Sequence, residues 1–398
     1  NPNVWIANNY QNDGITQIQV NQRNIDLFND PLSGAGRPLY DVPSSLYDQV
    51  TNASGNSPVN SLDPNFKIPS EWKYALGATY TFDNDLILMG DILYTKRKNT
   101  AMLVDLAYEQ VGTASDGRPV YDNPNGREGD YMLTNAPDAG SQLNLSFALS
   151  QAYDFGLDWS FAYAYTESEE SQSMSSSVAN SNFVQTATSD MGFYAAAPAN
   201  YEIPHRFTLR VNYGVEFIPG YETRFSLFGQ ANKGRPYSYA FNGSDLFGDP
   251  AFGRQLLYVP TGLNDSNVIF ADGFDTDAFF AFLSESGLDK YAGQIAPRNA
   301  FYGSWWNKFD LKITQQLPAF ADGHKASMFF VIENLGNLLN SDWGVLYQPG
   351  FPQIQRVVDA SLDANNTIVY EKFLGDRGQT REVEPSVWQA RIGFNYKF

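Results

Sequence analysis

Apolar and polar residues alternate with a period of two through much of this chain. From Val387 to Phe398, one face carries Trp388, Ala390, Ile392, Phe394, Tyr396 and Phe398. The other carries Val387, Gln389, Arg391, Gly393, Asn395 and Lys397. Successive side chains of a strand point to opposite faces, so this pattern predicts a strand with one apolar and one mostly polar side. The same reading applies to Trp72–Phe82, Leu86–Tyr94, Gln142–Ser150, Phe155–Tyr165, His205–Phe217, Tyr221–Asn232, Lys308–Leu317 and His324–Asn334. Ile87, Met89 and Leu93 blur the polar face of the second of these. Val4–Tyr10 and Ile15–Val20 are shorter candidates around Asn12-Asp13-Gly14, a tight-turn tripeptide. Thr100–Tyr108 is expected to extend strand pairing, and Gln353–Asp359 with Thr367–Phe373 to form an extra hairpin.

The connections alternate in kind. Tight turns fall near Asp13, Asp83, Asp154, Pro219 and Asp322. Between them lie polar connections of roughly 40 to 70 residues, unexpectedly long and unstructured for the interior of a compact domain. Strands of about 10 to 13 residues suit a tilted crossing of a bilayer. Short turns at one end and long loops at the other mark an outer-membrane barrel. A soluble sandwich would alternate too, but something would have to cover its greasiest strand. The expected fold class is therefore all-β: a transmembrane antiparallel β-barrel, with short turns periplasmic and long loops extracellular. About 11 strands are expected here, and a bacterial single-chain barrel needs an even number. A sheet edge cannot face lipid. Residues 1–398 are thus expected to be the carboxy-terminal half of a barrel of about 22 strands, the count of plugged outer-membrane transporters.

Composition narrows the chemistry. The absence of cysteine excludes disulfides, thiolate zinc sites and a cysteine nucleophile. A net charge of −18 argues against broad binding to nucleic acid or anionic lipid. The longest apolar runs, such as Met328–Ile332 and Ala278–Leu283, fall far short of the roughly 18 residues of a membrane helix. No signal peptide opens the chain, which leaves it mature, truncated or cytoplasmic. Gly-x-Ser-x-Gly, a phosphate loop and His-Glu-x-x-His are all absent. His205 and His324 are expected at opposite ends of their strands, too far apart to share a metal. Asp272, Asp275 and Asp277, and the segment Asp359–Asn366, are weak calcium candidates, a solvated acidic loop being the plainer account. Trp72, Trp305, Trp306 and Trp343 read as girdle or rim aromatics, with a sugar platform as the alternative. The polar faces offer Lys73, Asp91, Arg206, Arg210, Glu216, Arg224, Lys308, Asp310, Lys312 and Arg391 to a lumen. Mixed charge of this kind suits ion pairing with a plug better than a selective open pore.

Four segments carry a resemblance. They are Gly234-Arg235-Pro236-Tyr237-Ser238-Tyr239, Trp305-Trp306-Asn307-Lys308-Phe309-Asp310-Leu311-Lys312, Asn334-Leu335-Gly336-Asn337-Leu338-Leu339-Asn340 and Gly393-Phe394-Asn395-Tyr396-Lys397-Phe398. In order and spacing they resemble the carboxy-terminal barrel of TonB-dependent receptors. Asn9–Gly14 and Ile203-Pro204-His205-Arg206 are similar to the Oar-like subgroup. The resemblance implies a 22-stranded barrel around an amino-terminal plug. It implies active transport of an unidentified substrate, energised by the TonB complex through a TonB box, with no cofactor and no enzymatic activity. Oar-like members usually also carry a carboxypeptidase-regulatory-like domain. No such domain, plug or TonB box is found in residues 1–398. The implied partners are outer-membrane lipid and lipopolysaccharide, the protein's own plug, the TonB complex and the barrel-assembly machinery. Phe394, Tyr396 and Phe398 resemble the terminal signal which that machinery reads, by β-augmentation of an edge strand. A passive porin-like channel or surface adhesin is the alternative, and an outer-membrane enzyme the third reading.

Overall fold

The computed structural model describes residues 59–398 apart from 125, 127, 128 and 377, together with residues 29, 31–34 and 42–51. Val4–Tyr10, Ile15–Val20 and the turn near Asp13 lie outside the described residues.

Nine strands form one antiparallel meander in chain order. They are β1 (Ser70–Thr81), β2 (Ile87–Lys98), β3 (Ser141–Ala152), β4 (Leu157–Glu170), β5 (His205–Ile218), β6 (Tyr221–Asn232), β7 (Trp306–Leu317), β8 (Lys325–Glu333) and β9 (Gln389–Lys397). Each strand pairs with the next, and the register runs without a slip through the sheet. The one irregularity falls between Val215 and Ile218, beside the Pro219 turn.

Residues directly opposite in an antiparallel pair share a face. A row can therefore be followed from strand to strand. Leu76, Ile92, Leu145 and Tyr165 continue one another across β1 to β4. Tyr213, Phe225, Ile313, Phe330 and Ile392 do so across β5 to β9. The sheet is thus apolar on one face throughout, as the alternation predicts.

That apolar face is uncovered. Leu76 is 72% exposed and Ile392 75% exposed. Of the buried apolar side chains in the described residues, only Ala326 belongs to the nine strands. The other side chains the sheet buries are polar: Thr95, Ser168, Asn212 and Thr223. This inverts the arrangement of a water-soluble sheet, which hides its apolar side.

All the tight connections leave one end of the sheet and all the long ones the other. Here the structure corrects an expectation, because the long connections are not unstructured. Segments 99–140, 233–305 and 340–388 pack on one another around a core of Phe241, Phe247, Leu257, Phe279, Val358 and Tyr370. A five-stranded mixed sheet runs through it in the order Val268–Phe270, Ile368–Phe373, Ile354–Leu362, Pro236–Asn242, Phe301–Tyr302. The expected hairpin is its centre, Ile354–Leu362 paired antiparallel with Ile368–Phe373. Ala278–Leu283 proves to be part of a helix, Thr276–Ser286, closed by Gly287 at φ 73°. A second cluster, with Leu103, Leu133, Phe183 and Met191, ties segment 171–204 in. The segment Thr100–Tyr108 extends strand pairing beyond the long-connection end of the sheet, as expected. Its strand, Ala101–Asp105, pairs with Tyr131–Asn135 and not with the nine.

Two glycines let aromatic rings lie flat on the sheet. The Phe329 ring covers Gly393, where a Cβ would sit 2.2 Å from it, and the Phe309 ring covers Gly229, where the gap would be 2.6 Å. Each pair stands directly opposite across two strands. Adding a side chain at Gly393 forces the ring away, at about 1–3 kcal/mol for overpacking. Gly393→Val should therefore lower stability in chemical denaturation, and combining it with Phe329→Ala should recover most of the loss. Equal losses with and without the Phe329 ring would remove the pairing argument.

Candidate functional site

The polar face of the sheet gathers the charged residues. Lys308, Asp310, Lys312 and Arg391 stand there with Glu333. Lys308 lies 3.3 Å from Asp310, and Arg391 pairs with Glu333. Arg224 bridges Asp158 at 3.6 Å and Glu222 at 2.8 Å, while Asn212 donates to Asp158 at 2.6 Å. Asp91 accepts from the Ser146 hydroxyl at 3.3 Å, and Lys73 meets Glu71 at 3.1 Å. Lys312 rests over the Phe329 ring at 5.3 Å. Glu216 serves the adjacent turn, where it accepts from the Gly220 N–H at 3.0 Å. Arg206 and Arg210 are exposed on this face, with no ion pair among the described residues. Apart from Glu216, which falls within the irregularity beside the Pro219 turn, the charged residues picked out by the alternation lie on one common face of the sheet.

Hollows open at both ends of it. One of about 630 Å³ lies where the sheet meets the packed connections. Glu71, Lys73 and Arg97 line it from the strands, and Leu133, Met174 and Gln172 from above. Another, of about 680 Å³, lies at the tight-turn end beside Gln316, Ser327, Asn395 and Lys397.

The apolar face is bordered by aromatic residues. Tyr163, Tyr165, His205, Phe207 and Trp305 form one contiguous group at the long-connection end, with His205 6.0 Å from Trp305. His205 Nδ1 shares a hydrogen bond with the Tyr163 hydroxyl at 2.9 Å. Tyr80, Phe82, Tyr153, Phe155, Phe217 and Phe320 mark the opposite end. His324 lies there too, its Nδ1 2.8 Å from the Tyr396 hydroxyl, so the two histidines are at opposite ends of the sheet. Phe394 and Phe398 are exposed, whereas Tyr396 is held by His324 and by the Phe320 N–H. Among the tryptophans of the described residues, Trp72, Trp305, Trp343 and Trp388 are exposed. Trp306 departs from the rim assignment: it lies in register with Asn232 on the polar side, and its Nε1 donates to the Gly344 carbonyl at 3.0 Å.

Asp275 has a structural task, as the cap of helix Thr276–Ser286, where it accepts from the Ala278 N–H at 3.0 Å. Asp272 and Asp277 do not join it in a metal set. Among the described residues no three His, Asp or Glu side chains converge to hold an ion.

Sequence reasoning missed the residues that organise the connections. Arg254 is fully buried, bonded to Asp249 at 2.8 Å, to the Tyr194 hydroxyl at 2.8 Å and to the Phe183 carbonyl, with its guanidinium over the Phe183 ring. Burial pushes the Tyr194 hydroxyl up from its ordinary range. Arg118 pairs with Asp116 at 2.7 Å and lies 4.3 Å from the centre of the Phe247 ring. Asn299 ties Pro198 and Asn200 to Ser238. Asn334, at φ 54°, donates to the carbonyls of Gly344 and Pro385. A buried arginine reads like any surface arginine in sequence. The short spacing of Asp116 to Arg118 and of Asp249 to Arg254 was the only signal.

No protein-family model matches the chain, and no curated protein sequence shows significant similarity to it. The fold is predominantly β, with mostly antiparallel pairing, and no helix among the described residues is long and apolar enough to cross a membrane.

Two predictions follow from this geometry. Arg254→Met strands the Asp249 carboxylate in the interior, a loss of about 3–5 kcal/mol. Limited proteolysis should then cut within 233–305 far faster than in the parent, and adding Asp249→Leu should restore much of the resistance. The second concerns Glu202, buried between the Ser168 N–H at 2.5 Å and the Tyr302 hydroxyl at 2.7 Å. Burial raises its carboxyl above the usual range. The folded state therefore holds this proton more tightly than the unfolded one. Its contribution is full below the unfolded value and is lost as pH rises through the raised folded value. Resistance of segment 171–204 to proteolysis should improve on mild acidification in the parent, and this increment should vanish in Glu202→Gln.

Proposed function

We propose that this chain is part of the wall of a TonB-dependent outer-membrane transporter, with the tight turns periplasmic and the packed connections outside the cell. The observation that carries this reading is the apolar face: unbroken over nine strands, uncovered, and bordered by aromatics at both ends. From Leu157 to Tyr165 the strand runs about 26 Å, which at a tilt of about 40° is roughly 20 Å, and the turn residue Phe155 carries the apolar band further toward the roughly 25 Å of such barrels. Lipid is the solvent for which such a face needs no cover. Both outer edges of the meander, on β1 and β9, are unpaired among the described residues. A bare edge is prohibitive in lipid, so further strands would have to close the barrel.

The polar face then looks inward. Its ion pairs are mixed in sign, and Arg206 and Arg210 are available to carboxylates of a plug. The family itself rests on the segments that resemble TonB-dependent receptors. The packed connections give the outer end a preformed shape, which suits recognition of a cargo before uptake.

The chain has no cysteine, so single cysteines can be introduced cleanly into the intact protein in cells. Spin labels at Ile392 and Phe394 should report lipid, and labels at Gln389 and Asn395 a polar surrounding. Ile392→Lys should cost about 2–4 kcal/mol, and Asn395→Lys far less. An impermeant thiol reagent should reach a cysteine at Asp363 and spare one at Asp322. Reversed label environments would refute the wall. Correct labels with solute passage that persists without TonB would instead make the protein a passive channel.

A further inference from the structure

Three arginines are buried in the packed connections, and two of them have carboxylate partners: Arg118 with Asp116, and Arg254 with Asp249. The third, Arg298, is only 7% exposed. Its guanidinium donates to the Glu170 carbonyl and, at 3.0 Å, to the Ala195 carbonyl. It meets no carboxylate at ion-pair distance among the described residues. The Glu170 carboxylate acts on it only through space, and accepts instead from the Asn200 N–H at 3.0 Å. Arginine does not give up its proton in a protein. A buried cation that meets only carbonyl dipoles carries a desolvation cost that a counter-ion would offset.

Arg298 stands in the wall of a half-open cavity of about 330 Å³ between residues 187–197 and 295–298. The rest of the wall is small and mostly apolar, with Ala187, Phe193, Leu256, Ile295 and Ala296. Such a volume falls within the range of small-molecule sites. The cavity holds one acid, Asp190, whose Oδ1 already accepts from the Tyr121 hydroxyl at 2.5 Å and the Gly192 N–H at 2.8 Å.

We propose that this cavity binds a small monocarboxylate with an apolar body, its carboxylate on Arg298 and its body against Leu256, Ile295 and Phe193. A single guanidinium balances a single negative charge, and with its Nη2 given to the two carbonyls it offers a carboxylate a one-point, charge-assisted hydrogen bond. Asp190 disfavours a multiply charged anion such as phosphate. The apolar wall disfavours a ligand that is polar throughout. The site lies in the connections, so it stands whether or not the sheet lies in lipid and whatever drives transport.

The test is titration calorimetry on the intact protein in detergent, with hexanoate as the probe and hexanamide and inorganic phosphate beside it. Hexanoate should bind saturably, one per chain. The amide and phosphate should each bind at least roughly tenfold more weakly, the worth of one charge-assisted contact. Arg298→Met should weaken hexanoate by a similar factor. That variant also releases the Glu170 and Ala195 carbonyls, so Ala196→Phe supplies an independent arm: it fills the cavity and leaves Arg298 in place. It should abolish binding. No saturable binding, or equal binding of acid and amide, would overturn the proposal and leave Arg298 as a clamp on two carbonyls. So would hexanoate binding that Ala196→Phe leaves unchanged.

Discussion

Register is the constraint on which everything else here depends. A strand's side chains alternate strictly, so a slip of one residue would exchange its two faces. Eight successive pairings keep their register across the sheet, and the single irregularity is confined to the Pro219 turn. Backbone hydrogen bonds set that register, and opposite side chains reinforce it. Tyr74 stacks toward Tyr94 at 6.2 Å, and the Thr223 hydroxyl reaches Gln315 at 2.5 Å. The result is a sheet with one apolar and one polar face and no conventional core beneath it.

The sheet in turn anchors the connections. Arg97 at the end of β2 donates to the Glu169 carbonyl and to Gln142 and Ser168 on neighbouring strands. The Asn334 N–H bonds Asp310 at 2.7 Å, where β8 gives way to the helix Leu335–Leu339. The Tyr302 hydroxyl reaches Glu202 beside the start of β5. Strand ends thereby fix where each long connection starts, and the buried arginines fix how the connections meet. Two kinds of packing result. Polar ladders hold the sheet, while a dry aromatic core holds the unit above it.

These two kinds differ in how far sequence reveals them. Alternation is local, so Trp72–Phe82 or Phe309–Leu317 declares itself within a dozen residues, and the shared face of Arg210, Lys308 and Arg391 follows from counting. The unit above is not local. Tyr239, Leu257, Phe279, Val358 and Tyr370 meet in one core, but each sits in a short apolar run that could have been strand, helix or turn. Ser238 pairs in parallel with Ile354 across more than a hundred residues, a contact no periodicity announces. Trp306 shows the limit even on a strand. Its neighbour Trp305 obeys the alternation as a rim residue, while Trp306 turns to the polar side and is claimed by the Gly344 carbonyl. Arg298 was invisible, and Arg254 was marked only by its spacing from Asp249, because burial is a property of the assembled connections, not of their own neighbourhoods.

The shared core also bears on how such a protein can diversify. Surface loops usually drift one at a time, because each answers only to its own ends. Here Phe241, Phe279 and Tyr370 interlock across separate connections. Gly248 packs so tightly that a Cβ would lie 1.9 Å from the Tyr121 carbonyl oxygen of a different connection. A mutation in one connection is thus screened by its neighbours before any ligand sees it. Divergence at this end of the molecule must come either as matched changes in several connections together, or at the few rim positions the core does not use.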